Sequence, residues 1–409
     1  MKLSQSFIKT LREAPKDETA KNGALLVRAG YIHKEMAGIY DYLPLGIRVI
    51  ENIKNIIREE LNAIGCQEIL MSTLQNPELW QKTDRWDDQK VDIWFKTNLA
   101  AGGELGLAPT HEEPITNMLK TYITSYKDLP LAIYQFQTKF RNELRAKSGI
   151  MRGREFLMKD LYSFHTSEAD LDEFYHKVEQ AYDRIYARLG LGDSTHECFA
   201  SGGVFSKYSH EYQTFTPVGE DTVYHNQDCS VVLNEEVLLP DVLEDLGVKR
   251  EDLTEVRAAE VGNIFKLKTK YSGPLELNFT DENNDKKTVY MGCYGIGVSR
   301  VMGVIVEKFA DNKGIVWPEN IAPYKYYIVG IGEDGEKAAN ELYAGHEDLA
   351  ILDDRKLRPG EKFADAELMG IPYRIVISDK TLANGQAEIT TRATGDTKLV
   401  SLTDLRKSL

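Results

Sequence analysis

Phe140-Arg141-Asn142-Glu143, a basic Gly-containing run from Leu144 to Gly149, then Met151-Arg152-Gly153-Arg154-Glu155-Phe156-Leu157-Met158-Lys159-Asp160 is the stretch that decides the fold. Ahead of it, Ile133, Gln135, Gln137 and Lys139 alternate with Tyr134, Phe136, Thr138 and Phe140. That period of two predicts a strand with one polar face. Arg145 to Gly153 lacks apolar periodicity and reads as a loop, and Phe156 to Phe164 reads as the returning strand. The result is a long hairpin with Arg141 and Glu143 on one arm and Arg152 near the other. Two positions apart on a strand, Arg141 and Glu143 face the same side. A guanidinium beside a carboxylate can hold a phosphate and an amine together, and the planar fork of Arg suits phosphate. A solvated surface hairpin carries such charges too, so this pair alone leaves both readings open.

The totals narrow the class. A chain of 409 residues has room for two domains, and 42% hydrophobic with 28% charged residues is ordinary for a soluble globular protein. No apolar run approaches a membrane span, and Met1 to Gln5 lacks the apolar core of a signal peptide. Cys66, Cys198, Cys229 and Cys293 form no Cys-x-x-Cys pair, so neither a zinc site nor a disulfide framework is suggested, and a reducing cytoplasm fits. A net charge of -14 argues against whole-surface nucleic-acid binding but leaves room for a local basic face.

Outward from the hairpin, Ile39 to Gly46 reads as a turn into the best helical signal, with Ile50, Ile53, Ile57, Leu61 and Ile64 on one face and Gly65 as C-terminal cap. Cys66 to Leu74 then reads as a strand. Pro109-Thr110-His111-Glu112-Glu113 follows a Gly-rich turn; Thr110 is a candidate helix cap, and Thr110 with Glu112 can also anchor an amino or imino cation. Ser167 to Asp170 fits a capping box opening a helix. Thr288 to Met291 reads as a strand, Gly292 to Arg300 as a Gly-rich turn, and the residues up to Phe309 as a helix, so Arg300 would add charge to an anion-binding helix start. Trp317 to Pro323 reads as a linker. Beyond it, strands and helices alternate as in a small α/β domain.

Together these segments resemble motif 1 (about 46–74), motif 2 (about 133–164) and motif 3 (about 288–309) of class II aminoacyl-tRNA synthetases. More narrowly, the chain resembles the bacterial-type prolyl-tRNA synthetase family, through Arg28-Ala29-Gly30-Tyr31-Ile32, Tyr42-Leu43-Pro44-Leu45-Gly46, Pro109-Thr110-His111-Glu112-Glu113, Phe140-Arg141-Asn142-Glu143, Arg154 to Asp160, Ser209-His210-Glu211 and Asp353-Asp354-Arg355. The resemblance implies an α+β catalytic domain over 1–320, an antiparallel sheet of six or seven strands flanked by helices, and a C-terminal α/β anticodon-binding domain over 325–409. It implies a cytoplasmic, homodimeric ligase with no membrane association that forms prolyl-adenylate from L-proline and ATP and passes the prolyl group to tRNA(Pro). The motif 1 helix would lie at the dimer interface. Mg2+ would accompany the ATP, its protein ligands unassigned.

The resemblance also distributes roles. Arg141 and Arg300 are the catalytic candidates. Arg141, Glu143, Arg152, Phe156 and Arg300 would hold ATP: Glu143 at the adenine amine, Phe156 stacked on adenine, Arg152 and Arg300 at the triphosphate. Thr110, Glu112, Arg141, Met158, Asp160, Tyr162 and His210 would hold proline. Lys139, Arg145, Lys147, Arg154 and Lys159 would stand where the acceptor end arrives, and Arg355, Lys356, Arg358 and Lys362 near the anticodon stem. Ser72, Phe205-Ser206, Asn263 and Lys266 depart from the family pattern. Tyr212 to Ala259 is too short for the editing domain that many bacterial relatives insert. Two other readings stay open: a synthetase-like accessory protein that has lost catalysis, and a class II relative charging another amino acid.

Overall fold

The computed structural model describes residues 1–144, 146, 148–201 and 208–408. The chain divides into two compact units: Met1–Met36, Tyr40–Ile53 and Ile305–Leu409 form one, Ala37–Ile39 and Lys54–Val304 the other. No helix of the described residues is long and apolar enough to cross a membrane.

Helix α1 (Pro44–Ala63) ends one residue before Ile64, and Gly65 follows with φ +86, the left-handed conformation a helix stop favours. Its Ile53, Ile57 and Leu61 are fully buried, as their spacing predicts. The nine strands of the main sheet are β1 (Gln67–Glu68), β2 (Leu131–Phe140), β3 (Glu155–His165), β4 (Thr195–Ser201), β5 (Tyr208–Phe215), β6 (Asp221–His225), β7 (Val232–Asn234), β8 (Thr254–Lys268) and β9 (Tyr290–Gly297). Their order is β5-β4-β7-β6-β8-β9-β3-β2-β1, and β5 also pairs with β8, so β4 to β8 close on themselves. Pairing is antiparallel except between β1 and β2 and between β4 and β7. Helices α2 (Glu112–Leu119), α3 (Glu168–Arg188), α4 (Pro240–Leu246) and α5 (Val298–Phe309) complete the set around it.

The predicted hairpin exists as β2 and β3, paired from Leu131↔Phe164 to Phe140↔Glu155. Three local expectations change and one holds. The strand expected over Cys66 to Leu74 shrinks to Gln67–Glu68 in the main sheet, while Leu74–Gln75 belongs to a separate three-stranded sheet. The Gly-rich turn expected at Gly292 is strand β9, central in the sheet, and the helix begins directly after it. Glycine serves there for close approach: a Cβ on Gly295 would lie 2.4 Å from Met158 Cε and 2.8 Å from Asn263 Oδ1 on the flanking strands. Thr110 does not cap α2, whose N-cap is His111. Ser167 does cap α3, accepting from the Asp170 amide at 3.2 Å.

In the other unit, β10 (Tyr326–Ile331), β11 (Ala350–Asp353), β12 (Tyr373–Ser378), β13 (Gln386–Thr391) and β14 (Thr397–Ser401) form a sheet in the order β11-β10-β12-β13-β14. Helices α6 (Glu333–Tyr343), α7 (Pro359–Met369) and α8 (Leu402–Ser408) accompany it; the last had no sequence expectation. Ile328, Leu342, Leu352, Ile375 and Ile377 are buried in its core. The chain's first residues extend its edge: the Met1 amine donates to Ala350 O at 2.8 Å and the Leu352 amide to Met1 O at 2.9 Å. The expected linker is packed instead, with Trp317 buried and its Nε1 donating to Tyr31 Oη at 2.8 Å.

Gly46 shows why the α1 entry carries glycine. A Cβ there would lie 2.1 Å from Tyr31 O, a backbone atom already accepting from the Leu43 amide. Gly46→Ala should therefore destabilise the protein by about 1–3 kcal/mol, read as a lower urea midpoint at unchanged slope.

Candidate active site

The floor of the site is set by alternation along β2 and β3. Gln135 pairs with Asp160 and Gln137 with Met158, so the polar face predicted for β2 meets Met158, Asp160 and Tyr162. This face is buried, not solvated: Gln135, Lys139 and Asp160 are at most 2% exposed. Lys139 Nζ donates to Asp160 Oδ2 at 2.9 Å and to His111 Nδ1 at 2.5 Å, and Gln135 Nε2 donates to the same Asp160 oxygen at 2.9 Å. With Nδ1 accepting, His111 Nε2 carries the proton and donates to Ser72 O at 3.0 Å. Burial, then Lys139, pushes the imidazole down to about 4, so it is neutral at physiological pH. Among the described residues, Asp160 Oδ1 is buried without a hydrogen-bond partner.

The anchored His111 brings its neighbours over that floor. Thr110 Oγ1 lies 2.8 and 2.7 Å from the Glu112 carboxylate oxygens, and 3.4 Å from Tyr162 Oη. The His111 amide donates to Tyr162 Oη at 3.1 Å. Burial favours the neutral form of Glu112, but Arg85 and the Thr110 hydroxyl outweigh it and hold the carboxyl below the usual range. A fixed, ionised carboxylate beside a hydroxyl and a second carboxylate is a receptor for a small cation.

Beside this cluster lies a hollow lined by Arg141, Glu143, Met151, Arg152, Phe156, Met158, Glu260, Asn263 and Arg300. Arg141 sits past the end of β2, its amide donating to Arg154 O at 2.8 Å. Arg141 and Glu143 are therefore not strand neighbours as predicted. The Glu143 amide donates to Arg141 O at 2.7 Å, a three-residue turn that still leaves both lining one hollow. The Arg141 guanidinium lies 5.3 Å from the centre of the Phe156 ring. Burial, then the neighbouring Arg300, holds its pKa below the usual arginine value; Glu260, Glu112 and Glu143 oppose this, so Arg141 feels both the hollow and the carboxylate cluster. Arg152 donates to Glu143 Oε2 at 3.1 and 2.8 Å and to Glu220 Oε2 at 3.0 Å. Arg300 donates to Met151 O and Glu260 O, both at 2.8 Å.

Glu260 has no predicted role here, and Asn263 is expected only as a departure from the family pattern. A bulge brings them together: Tyr212 pairs with Gly262 and Gln213 with Glu260, leaving Val261 unpaired. Asn263 Nδ2 then donates to Glu260 Oε1 at 2.9 Å. Neither the bulge nor its consequence has a signal in the sequence.

Residues 95–309 match the tRNA synthetase class II core domain (G, H, P, S and T), and residues 325–409 match the anticodon binding domain. The proline--tRNA ligase of Ehrlichia chaffeensis is 38% identical over 417 residues, covering 98% of both chains. That of Phenylobacterium zucineum is 38% identical over 445 residues, covering 100% of both. The chain belongs to the proline–tRNA ligase family. Among solved structures, the prolyl-tRNA synthetase from Cryptosporidium parvum complexed with halofuginone and AMPPNP has a TM-score of 0.76 at 18% identity, covering 94% of this chain and 75% of that one. The Giardia lamblia prolyl-tRNA synthetase in complex with prolyl-adenylate has a TM-score of 0.75 at 20% identity, covering 93% and 74%. The likeness extends the shared fold well beyond close sequence relatives.

Of the residues carried over from the proline–tRNA ligase family, the structure gathers Thr110, Glu112, Arg141, Glu143, Arg152, Phe156, Met158, Asp160, Tyr162 and Arg300 around the hollow and its adjoining cluster. His210 is a correction. It pairs with Ile264, whose neighbour Asn263 lines the hollow, so alternation turns His210 to the opposite face of the sheet. There its Nδ1 lies 2.8 Å from Tyr175 Oη on α3 and 3.1 Å from Glu197 Oε1. The basic residues assigned to tRNA also change. Lys139 and Lys159 are 0% exposed; Lys159 Nζ donates to Tyr182 Oη and Tyr294 O, and burial pushes it down to about 7. Arg154 is spent on Glu143 O and Ala37 O. Lys362 is buried on Asp353 O, and Arg355 is paired with Asp353 and Asp365. Lys356 and Arg358 are exposed, while Arg145, Lys147, Phe205 and Ser206 lie outside the described residues.

Of the remaining departures, Ser72 supplies the carbonyl that His111 needs, and Lys266 pairs with Asp172 of α3 at 2.7 Å. Lys139→Met should strand the Asp160 charge and cost about 3–5 kcal/mol of stability; adding Asp160→Leu should recover part of that loss in urea unfolding.

Proposed function

We propose that this chain activates L-proline with ATP and transfers the prolyl group to tRNA(Pro). The observation that carries the reading is the position of Arg141 between an arginine-rich hollow and a carboxylate cluster suited to a cation. The relatives' shared activity supports it. An oxygen of the proline carboxylate attacks the α-phosphorus, a P–O bond forms, and the bond to the leaving pyrophosphate breaks. Two anions must meet, so charge stabilisation and positioning carry the step and no side chain has to move a proton.

Arg141 spans the proline carboxylate and the α-phosphate. Glu143 accepts from the adenine amine, Phe156 stacks on the ring, and Arg152 and Arg300 hold the remaining phosphates. Thr110, Glu112, Asp160 and Tyr162 surround the imino cation, with Met158 at the shared wall. Glu220, Asp221 and Glu260 line the same arginine-rich space and are hard oxygen donors that fit Mg2+ accompanying ATP. Bound there, the ion would neutralise phosphate charge.

Residues 1–320 make up the catalytic domain in this reading and 325–409 the anticodon-binding domain. The protein works in the cytoplasm as a homodimer. The dimer is supported by the apolar surface after α1, where Leu70 and Leu74 are 76% and 52% exposed. Lys356 and Arg358 are the exposed candidates for tRNA phosphates.

Proline-dependent exchange of pyrophosphate into ATP tests the activity, run beside alanine, cysteine and threonine. Proline should give the signal; silence with proline and a signal with another amino acid reassigns the substrate, and silence with all four favours a non-catalytic accessory role. Arg141→Ala should abolish exchange while the protein stays folded, and retained exchange removes Arg141 from its role.

The chain should lack editing. Residues 221–246 are occupied by β6, β7 and α4, elements of the closed part of the main sheet and its cover. A pocket gains only about 1–3 kcal/mol of discrimination per methylene, so alanine, two carbons smaller than proline, and cysteine, close to proline in size, are expected misacylations. Purified protein added to alanyl-tRNA(Pro) should leave deacylation at the buffer rate; faster release contradicts the absence of editing.

A further inference from the structure

Arg85 has no place in any motif carried over from the family, yet its side chain reaches the amino-acid end of the site. Its Nη1 lies 2.9 and 3.1 Å from the two Glu113 carboxylate oxygens, 3.4 Å from Glu112 Oε2 and 2.9 Å from Tyr271 Oη. The guanidinium is wedged against the rings of Trp80 (4.9 Å) and Tyr271 (5.3 Å), and the Arg85 carbonyl accepts from Trp94 Nε1 at 2.9 Å. Glu113 is fully buried and also accepts from Thr83 Oγ1 at 2.7 Å. It anchors Arg85 from behind and takes its shorter contacts.

We infer that Arg85, held by Glu113, is the positioning residue that orients and keeps ionised the Glu112 carboxylate to which the substrate's ammonium-type nitrogen binds. This rests on the functional reading above. Burial pushes the Glu113 carboxyl up to about 7 against the pull of Arg85, and the guanidinium faces both carboxylates, so Glu112 is stabilised without being fully neutralised and attraction for a ligand cation remains. Orientation follows from the same contacts: Arg85 sits on Glu112 Oε2, Cys293 Sγ (3.5 Å) on Oε1, and Thr110 Oγ1 bridges the two oxygens. Among the described residues, the charged and titratable groups that interact with Glu112 are Arg85, Glu113, His111, Asp160, Tyr162, Tyr271 and Cys293, with the cations Lys139, Lys270 and Arg141 acting without a direct contact. Of these, Arg85 is the cation in direct contact.

The test is pyrophosphate exchange by the full-length protein, with KM for proline and for ATP measured separately across pH. Arg85→Met should raise KM for proline about tenfold or more and move the acid limb of kcat/KM for proline upward by about one pH unit, since Glu112 loses its cation and protonates earlier. KM for ATP should stay within about twofold. Arg85→Lys should recover most of the loss. Glu113→Gln, which leaves the Arg85 charge to Glu112 at every pH, should not move the acid limb upward. A purely structural role would move both KM values together and shift the limb one way in both variants, which overturns the inference. Wild-type KM for proline in Arg85→Met overturns it as well. If Arg85→Met does not fold, Arg85→Gln is read in its place with the same upward limb expected, and an upward limb in Glu113→Gln overturns the inference. An inactive wild-type protein refutes the functional reading and this inference with it; an active one with unchanged variants refutes this inference alone.

Discussion

The ion pair between Lys139 and Asp160 fixes the floor of the site. Both side chains are buried on adjacent antiparallel strands, and neither would be tolerated there alone. Their pairing lets the hairpin present a polar face to the protein interior. It also reaches sideways: the same ammonium holds His111 in one tautomer, His111 holds the Ser72 carbonyl, and the segment between them places Thr110 and Glu112 above Asp160. A single buried cation thus ties two strands and two loops to one geometry.

On that floor the charge is divided. One end presents the Glu112 and Asp160 carboxylates, the other presents Arg152 and Arg300 held by Glu143, Glu220 and Glu260, and Arg141 stands between them. This division matches a reaction that joins a molecule carrying both a cation and a carboxylate to a polyanion. Buried and half-buried groups interact strongly because water does not screen them, so a small set of well-held side chains suffices. The carboxylate end needs its own counter-charges to remain ionised, and Arg85 and Lys139 supply them from beneath.

Two backbone features make the arginine end open. Gly295 leaves a gap across β9 into which Met158 and Asn263 lean from either side. The bulge at Val261 turns Glu260 toward Arg300 and beside Asn263. Without the missing Cβ the floor would be filled. Without the extra residue, Glu260 would fall on the face that α3 covers, because side chains alternate along a strand.

The sequence by itself determined the long hairpin, the apolar helix before it, the α/β character of the C-terminal part and the three arginines. These follow from local periodicity and from residue types whose chemistry admits few uses. Only the tertiary structure decided which face each polar residue took. Lys139 and Lys159 read as surface charge, but both are buried, because a strand pattern does not say what covers its polar side. His210 sits in a motif beside site residues, yet strand register turns it to the helix side. Arg85 gave no signal, since its partners lie 27, 28 and 186 positions away along the chain. Local pattern encodes elements; burial, register and long-range charge pairing emerge only when those elements are packed together.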